Sequence, residues 1–114
     1  GEDGAAGVEH VLGEAVAAGD FDKGILVCGS GTGMAIAANK VPGIRAAVAW
    51  NEEIARLSRQ HNNANVLSLA GRFIPEAEQA KIVKAWLETD FEGGRHATRV
   101  EKIEQIEKED LEQK

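Results

Sequence analysis

The run Ile25-Leu26-Val27-Cys28 passes directly into Gly29-Ser30-Gly31-Thr32-Gly33, and no other feature of the chain limits its fold so sharply. Apolar residues followed by alternating glycines read as a short buried strand, a tight turn and a helix opening near Thr32 or Gly33. A strand that is apolar on both faces belongs inside a parallel sheet, and parallel strands need long crossover connections. The segment therefore predicts an α/β protein. It also carries chemistry: the bare N–H groups of Gly29 to Gly33 can cradle an oxyanion or a phosphate. No Gly-Lys-Ser/Thr follows, so the loop is not of the Walker type. Cys28, the only cysteine, stands at the mouth of the turn. Such a residue is either a small core hydrophobe or a thiol whose pKa is lowered by the same amide dipoles.

The remaining chain alternates in the same way. Residues 1–7 read as a flexible lead-in, and Val8, Val11, Leu12, Ala15 and Val16 mark the apolar stripe of a helix from Val8 to Ala18, closed by Gly19-Asp20. The helix after the glycine loop runs to about Lys40, and Pro42-Gly43 separates it from a second strand, Ile44–Trp50. Asn51 is a candidate N-cap, with Glu52 and Glu53 in the first turn of a helix ending near His61 to Asn63. A third strand follows at Ala64–Ala70, and Gly71-Arg72 leaves it. Pro75 suits the first position of a helix continuing to about Glu88. A final helix begins near Arg95. Its thin stripe of Val100, Ile103, Ile106 and Leu111 fits a solvated helix or one lying on a partner subunit. Residues 8–114 thus form a single domain with 95–114 as its C-terminal helix. Three recognisable strands alternate with helices, which implies right-handed βαβ crossovers.

Composition excludes several classes. A formal net charge of −6 argues against a cationic nucleic-acid footprint. No apolar run approaches the roughly 20 residues of a membrane span, and no secretory signal opens the chain. A lone cysteine forms no intrachain disulfide, so a cytoplasmic protein is expected.

In a parallel sheet, ligands gather where loops leave the carboxyl ends of the strands. The Cys28–Gly33 loop, the Trp50-Asn51 turn and Gly71-Arg72 share that edge. His61-Asn62 precedes the third strand and falls at the opposite edge, so a catalytic His61 must act through another chain or a bent connection. The alternative for His61 is a helix C-cap. Arg95 and Arg99 are four residues apart and share a helix face. They suit a phosphate, or pair with Glu92 or Glu101.

Taken in order, Gly24–Met34, Ile36–Ala46, Ser58–Val66 and Glu92–His96 with Arg99 resemble the type B ribose-5-phosphate isomerases, relatives of the galactose-6-phosphate isomerase subunits. The resemblance spans about Val8 to Ile106. It implies a Rossmann-like three-layer α/β/α fold and aldose–ketose isomerisation of a pentose phosphate within the pentose phosphate pathway, with no metal or organic cofactor. By position, Cys28 would be the base moving a proton between C1 and C2. The amides of Gly29, Ser30, Gly31, Thr32 and Gly33 would hold the enediolate, assisted by the Ser30 hydroxyl. His61 would help to open the furanose, Asn62 would bind the sugar, and Arg72, Arg95 and Arg99 would grip the phosphate, partly across a homodimer or dimer of dimers. The family's opening strand with its Asp-His-x-Gly motif, and its Asp-Tyr-Pro turn, have no counterpart in these residues. The expectation is therefore an N-terminally shortened version whose Ile25–Cys28 strand has lost a neighbour. A hexose-phosphate isomerase, or a sugar-phosphate binding or assembly subunit without catalysis, is the alternative.

Overall fold

A computed structural model describes residues 16, 17, 19 and 21–113. The lead-in over 1–7 and most of the Val8–Ala18 helix lie outside the described residues, although Val16 and Ala17 are helical. Gly24–Cys28 forms β1, Thr32–Ala38 α1, Ala46–Val48 β2, Glu52–Asn62 α2, Val66–Ala70 β3, Glu76–Leu87 α3 and Arg95–Glu112 α4. The three strands are parallel and lie in the order β1-β3-β2, with Cys28 beside Ala70 and Val48 beside Ser68.

The strand periodicity of two assigns the layers. Leu67 and Leu69 face one side, where Ala55 of α2 and Ile82 and Trp86 of α3 complete a buried cluster. Val66 faces the other side with Leu26, and Val16, Ala38, Val41 and Ile44 close over them. Every residue of β3 is buried, as expected of a central parallel strand. The result is the α/β/α sandwich predicted from the sequence.

The two-faced apolar strand Ile25–Cys28 has the character of an interior strand but lies at an edge of the described sheet, as expected of a strand that has lost a neighbour, and β3 occupies the centre. Ile25 and Val27, which share a face with Leu67 and Leu69, are 37% and 54% exposed, because no described element covers that side of β1. The second strand is shorter than Ile44–Trp50. Arg45 N–H donates to the Asn65 side chain and Ala46 N–H to that of Asn39, so side chains replace the ladder at its start. The third strand begins at Val66 instead of Ala64. Asn63 adopts a left-handed φ of 49° and Ala64 N–H reaches back to Ser58 O, so both residues belong to the end of α2. Asn51 caps α2 through its side chain to Ile54 N–H, and Pro75 sits at the cap position of α3, one residue earlier than expected. Among the described residues, no helix is long and apolar enough to cross a membrane.

Candidate functional site

Two groups of candidate site residues form at opposite ends of the sheet. The first is at the carboxyl ends of β1 and β3, and the backbone builds it. Gly71 N–H donates to Cys28 O at 2.7 Å and Arg72 N–H to Gly29 O at 3.1 Å, so the two exit loops are stitched together. A Cβ on Gly71 would come within 2.7 Å of Val27 Cγ1, which restricts that position to glycine. Gly31 caps α1 with a φ of 81°, and a Cβ there would also crowd the Leu69 backbone at 3.1 Å. The buried Ser68 hydroxyl donates to Gly31 O at 2.6 Å and pins the turn to the central strand.

This construction leaves Cys28 half-buried beside an open depression of about 590 Å³, which the residue lines with Gly29, Gly71, Arg72 and Gln79. The Arg72 guanidinium lies over Gly29, its Cζ 3.7 Å from where a Cβ would stand. Ser30 and Thr32 are exposed at the rim, and Thr32 N–H points to Ser30 Oγ at 3.4 Å. Cys28, the first glycine of the amide turn and the Arg72 side chain therefore border one opening. Such a set can hold an anion while a proton moves beside it.

The second group stands at the other end of the strands, about 13 Å away by the rise of a five-residue strand. His61 and Asn62 end α2, Glu92 precedes α4, and His96 and Arg99 lie on its first turns. Glu92 N–H donates to Gln60 O at 3.1 Å, which ties the two segments. The His61 and His96 rings stack with centroids 4.2 Å apart and 13° between their planes. Glu92 Oε1 lies 3.9 Å from His61 Nε2 and 3.6 Å from His96 Nε2. Arg99 donates to His61 O at 3.2 Å and to Asn62 Oδ1 at 3.5 Å, and contacts His96 Nδ1 at 3.1 Å. Burial, then the neighbouring His61, Arg99 and Arg95, pushes the His96 pKa below that of a free imidazole, with Glu92 opposing.

The structure thus brings Cys28, the Gly29–Gly33 loop and Arg72 together, and separately His61, Asn62 and Arg99. Arg95 is exposed beside the second group, and its side chain makes no hydrogen bond or ion pair to another described residue. Arg99 uses its fork on the end of α2 and on His96, and pairs with neither Glu92 nor Glu101. Sequence reasoning named Glu92 only as an ion-pair partner and gave His96 and Ser68 no role of their own. The Glu-Gly-Gly-Arg-His spacing was a signal for the first two, and a lone hydroxyl within Val66-Leu67-Ser68-Leu69-Ala70 was one for the third. A larger groove of about 700 Å³ runs between α4 and β2, with Asn62, Ile103 and Ile106 in its wall.

A parallel α/β sandwich with an amide turn and a thiol at its carboxyl edge defines a small-ligand site of the sheet-edge class. Residues 6–103 match the Ribose/Galactose Isomerase family, and the chain belongs to it. It is 53% identical over 93 residues to ribose-5-phosphate isomerase B of Escherichia coli K12, a match covering 82% of this chain and 62% of that protein. The chain thus spans about six tenths of the length of that curated relative. A ribose-5-phosphate isomerase B structure from Clostridium thermocellum superposes with a TM-score of 0.90 at 51% identity, covering 92% of this chain and 71% of the other. The Mycoplasma genitalium enzyme, solved with bound ribulose-5-phosphate, superposes at 0.87 with 45% identity, over 91% and 69% of the two chains.

Proposed function

We propose that the chain is the catalytic core of a cytoplasmic ribose-5-phosphate isomerase that interconverts ribose 5-phosphate and ribulose 5-phosphate through an enediolate. One arrangement carries this reading: Cys28 at the head of the Gly29–Gly33 turn, with the Arg72 guanidinium over Gly29, around one opening. The thiolate takes the proton from C2 of the open-chain aldose, and charge passes to O1. Amides of the glycine turn, with the Ser30 hydroxyl at the sugar oxygens, stabilise that charge in a geometry set before reaction. The proton returns to C1, the O2 proton passes to O1, and the ketose results.

His61 moves a proton from the anomeric hydroxyl to the ring oxygen and so opens the furanose, while Asn62 binds the sugar. These residues and Cys28 belong to opposite ends of one sheet, so a working site combines the Cys28 end of one copy with the His61 end of another. A homodimer, or a dimer of such dimers, supplies that pairing. Arg72 grips the phosphate from one side, and Arg95 and Arg99 reach it from the neighbouring copy. Phosphate binding remote from the reacting carbons orients them.

The test is an isomerase assay on the chain and on Cys28→Ala, with phosphate-sugar binding measured in parallel. Turnover in the parent, with loss of turnover but retained binding in the variant, is the expected result. Equal turnover in both removes Cys28 as the base.

A further inference from the structure

We propose that His61, Glu92 and His96 form a binding site for one divalent transition-metal ion of the Zn²⁺ class. One ligand atom from each residue lies within 4.8 Å of the other two. Zinc holds imidazole nitrogen and carboxylate oxygen at about 2.0–2.2 Å in a tetrahedron, which sets ligand atoms roughly 3.4 Å apart. The carboxylate oxygen already stands 3.6 Å from His96 Nε2 and 3.9 Å from His61 Nε2. The two rings are stacked 13° from parallel, so one of them must turn out of the stack before both nitrogens aim at one ion.

The backbone holds the three residues in place. Glu92 N–H is bonded to Gln60 O, next to His61, and His96 N–H to Gly93 O. Gly93 and Gly94, with φ of 71° and 56°, turn the chain so that Glu92 lies against the ring four residues later. Two imidazoles and one carboxylate select zinc, cobalt or nickel over magnesium and calcium. Three protein ligands leave a fourth position open, as in exchangeable sites and unlike closed structural ones.

Arg99 is the antagonist of the ion. Its N–H donates to His96 Nδ1, which leaves the ring proton on Nε2, toward Glu92. A metal at Nε2 requires the other tautomer, so Arg99 must swing off the ring. Arg99 is exposed on α4 and has room to do so. Arg95 adds a second nearby positive charge. Captured by a metal, His61 no longer shuttles protons, so the ion is an inhibitor and not a resident cofactor. That consequence rests on the isomerase reading; the binding itself does not.

Co²⁺ is the probe, because its visible absorption reports ligand type and geometry without any assay of activity. The titration uses the full chain carrying Cys28→Ser, so that no thiolate contributes. The expected result is one Co²⁺ per chain with the strong absorption of a tetrahedral nitrogen–oxygen site, displaced by Zn²⁺. Glu92→Gln and His96→Gln each weaken binding by at least about tenfold, and Arg99→Gln strengthens it. Glu92 is exposed, so its variant tests the site without disturbing the core. A Co²⁺ signal that is absent, or unchanged by Glu92→Gln and His96→Gln, overturns the site. Neither outcome bears on the isomerase reading, which the Cys28→Ala assay tests separately.

Discussion

The two ends of the sheet are built by different means. At the carboxyl end, main-chain hydrogen bonds, glycines and a buried hydroxyl fix the Cys28 opening, and Arg72 lines it with a charge that suits an anion. At the amino end, long side chains from α2 and α4 make the group, and its contacts are mostly ion–dipole and ring stacking. The first end stores its geometry in the fold and requires no rearrangement as charge develops. The second can exchange partners, because Arg99 and Glu92 are exposed. This division suits a reaction whose chemistry needs rigid dipoles and whose substrate must be gripped and released.

Substitutions at each end separate the two modes. Cys28→Ala is expected to lower isomerase kcat by about 10³-fold, the usual worth of a positioned acid–base group, with phosphate-sugar affinity little changed in calorimetry. Gly31→Ala attacks the rigid end through its frame. A side chain at φ 81° against the Leu69 backbone costs about 1–2 kcal/mol or more in denaturant melts, and kcat falls with it. Arg99→Gln attacks the adaptable end. It removes about 1.5–3 kcal/mol of charge-assisted phosphate contact, seen as a roughly ten- to hundredfold rise in KM with kcat less affected. Stability barely moves, as for an exposed substitution.

The smallest effect is on pH dependence. His96 in the folded chain binds a proton less readily than a free imidazole with its pKa of 6.5, because of burial and the facing His61, Arg99 and Arg95, against Glu92. The unfolded chain therefore binds more protons as the pH drops below 6.5, and this contribution to stability is lost on acidification. Thermal melts between pH 7 and 5 read it as a declining midpoint, and His96→Gln flattens the decline.

The same contrast explains what the sequence revealed. The Cys28 end was legible because its signals are local: an apolar run, alternating glycines and a cysteine at the junction each act within a few residues. Element order was legible for the same reason, through Asn51, Pro75 and the helical periodicities. The group of Glu92, His96, His61 and Arg99 was only half visible, since it depends on α4 crossing the end of α2 about thirty residues away. Ser68 was hidden for a related reason, because its partner Gly31 is 37 residues distant in sequence. The late start of β2 was also tertiary: side-chain bonds from Asn39 and Asn65 replaced the first rungs expected of it.

The central claim is that one working site joins the Cys28 end of one copy to the Arg99 end of another. Mixing equal amounts of Cys28→Ala and Arg99→Ala chains, after reversible dissociation, tests it directly. The account predicts that kcat/KM, read at substrate well below KM, returns to about a quarter of the parent value, since half of a two-fold symmetric population is mixed and each mixed pair holds one intact site. Activity that stays at the level of the separate variants contradicts it.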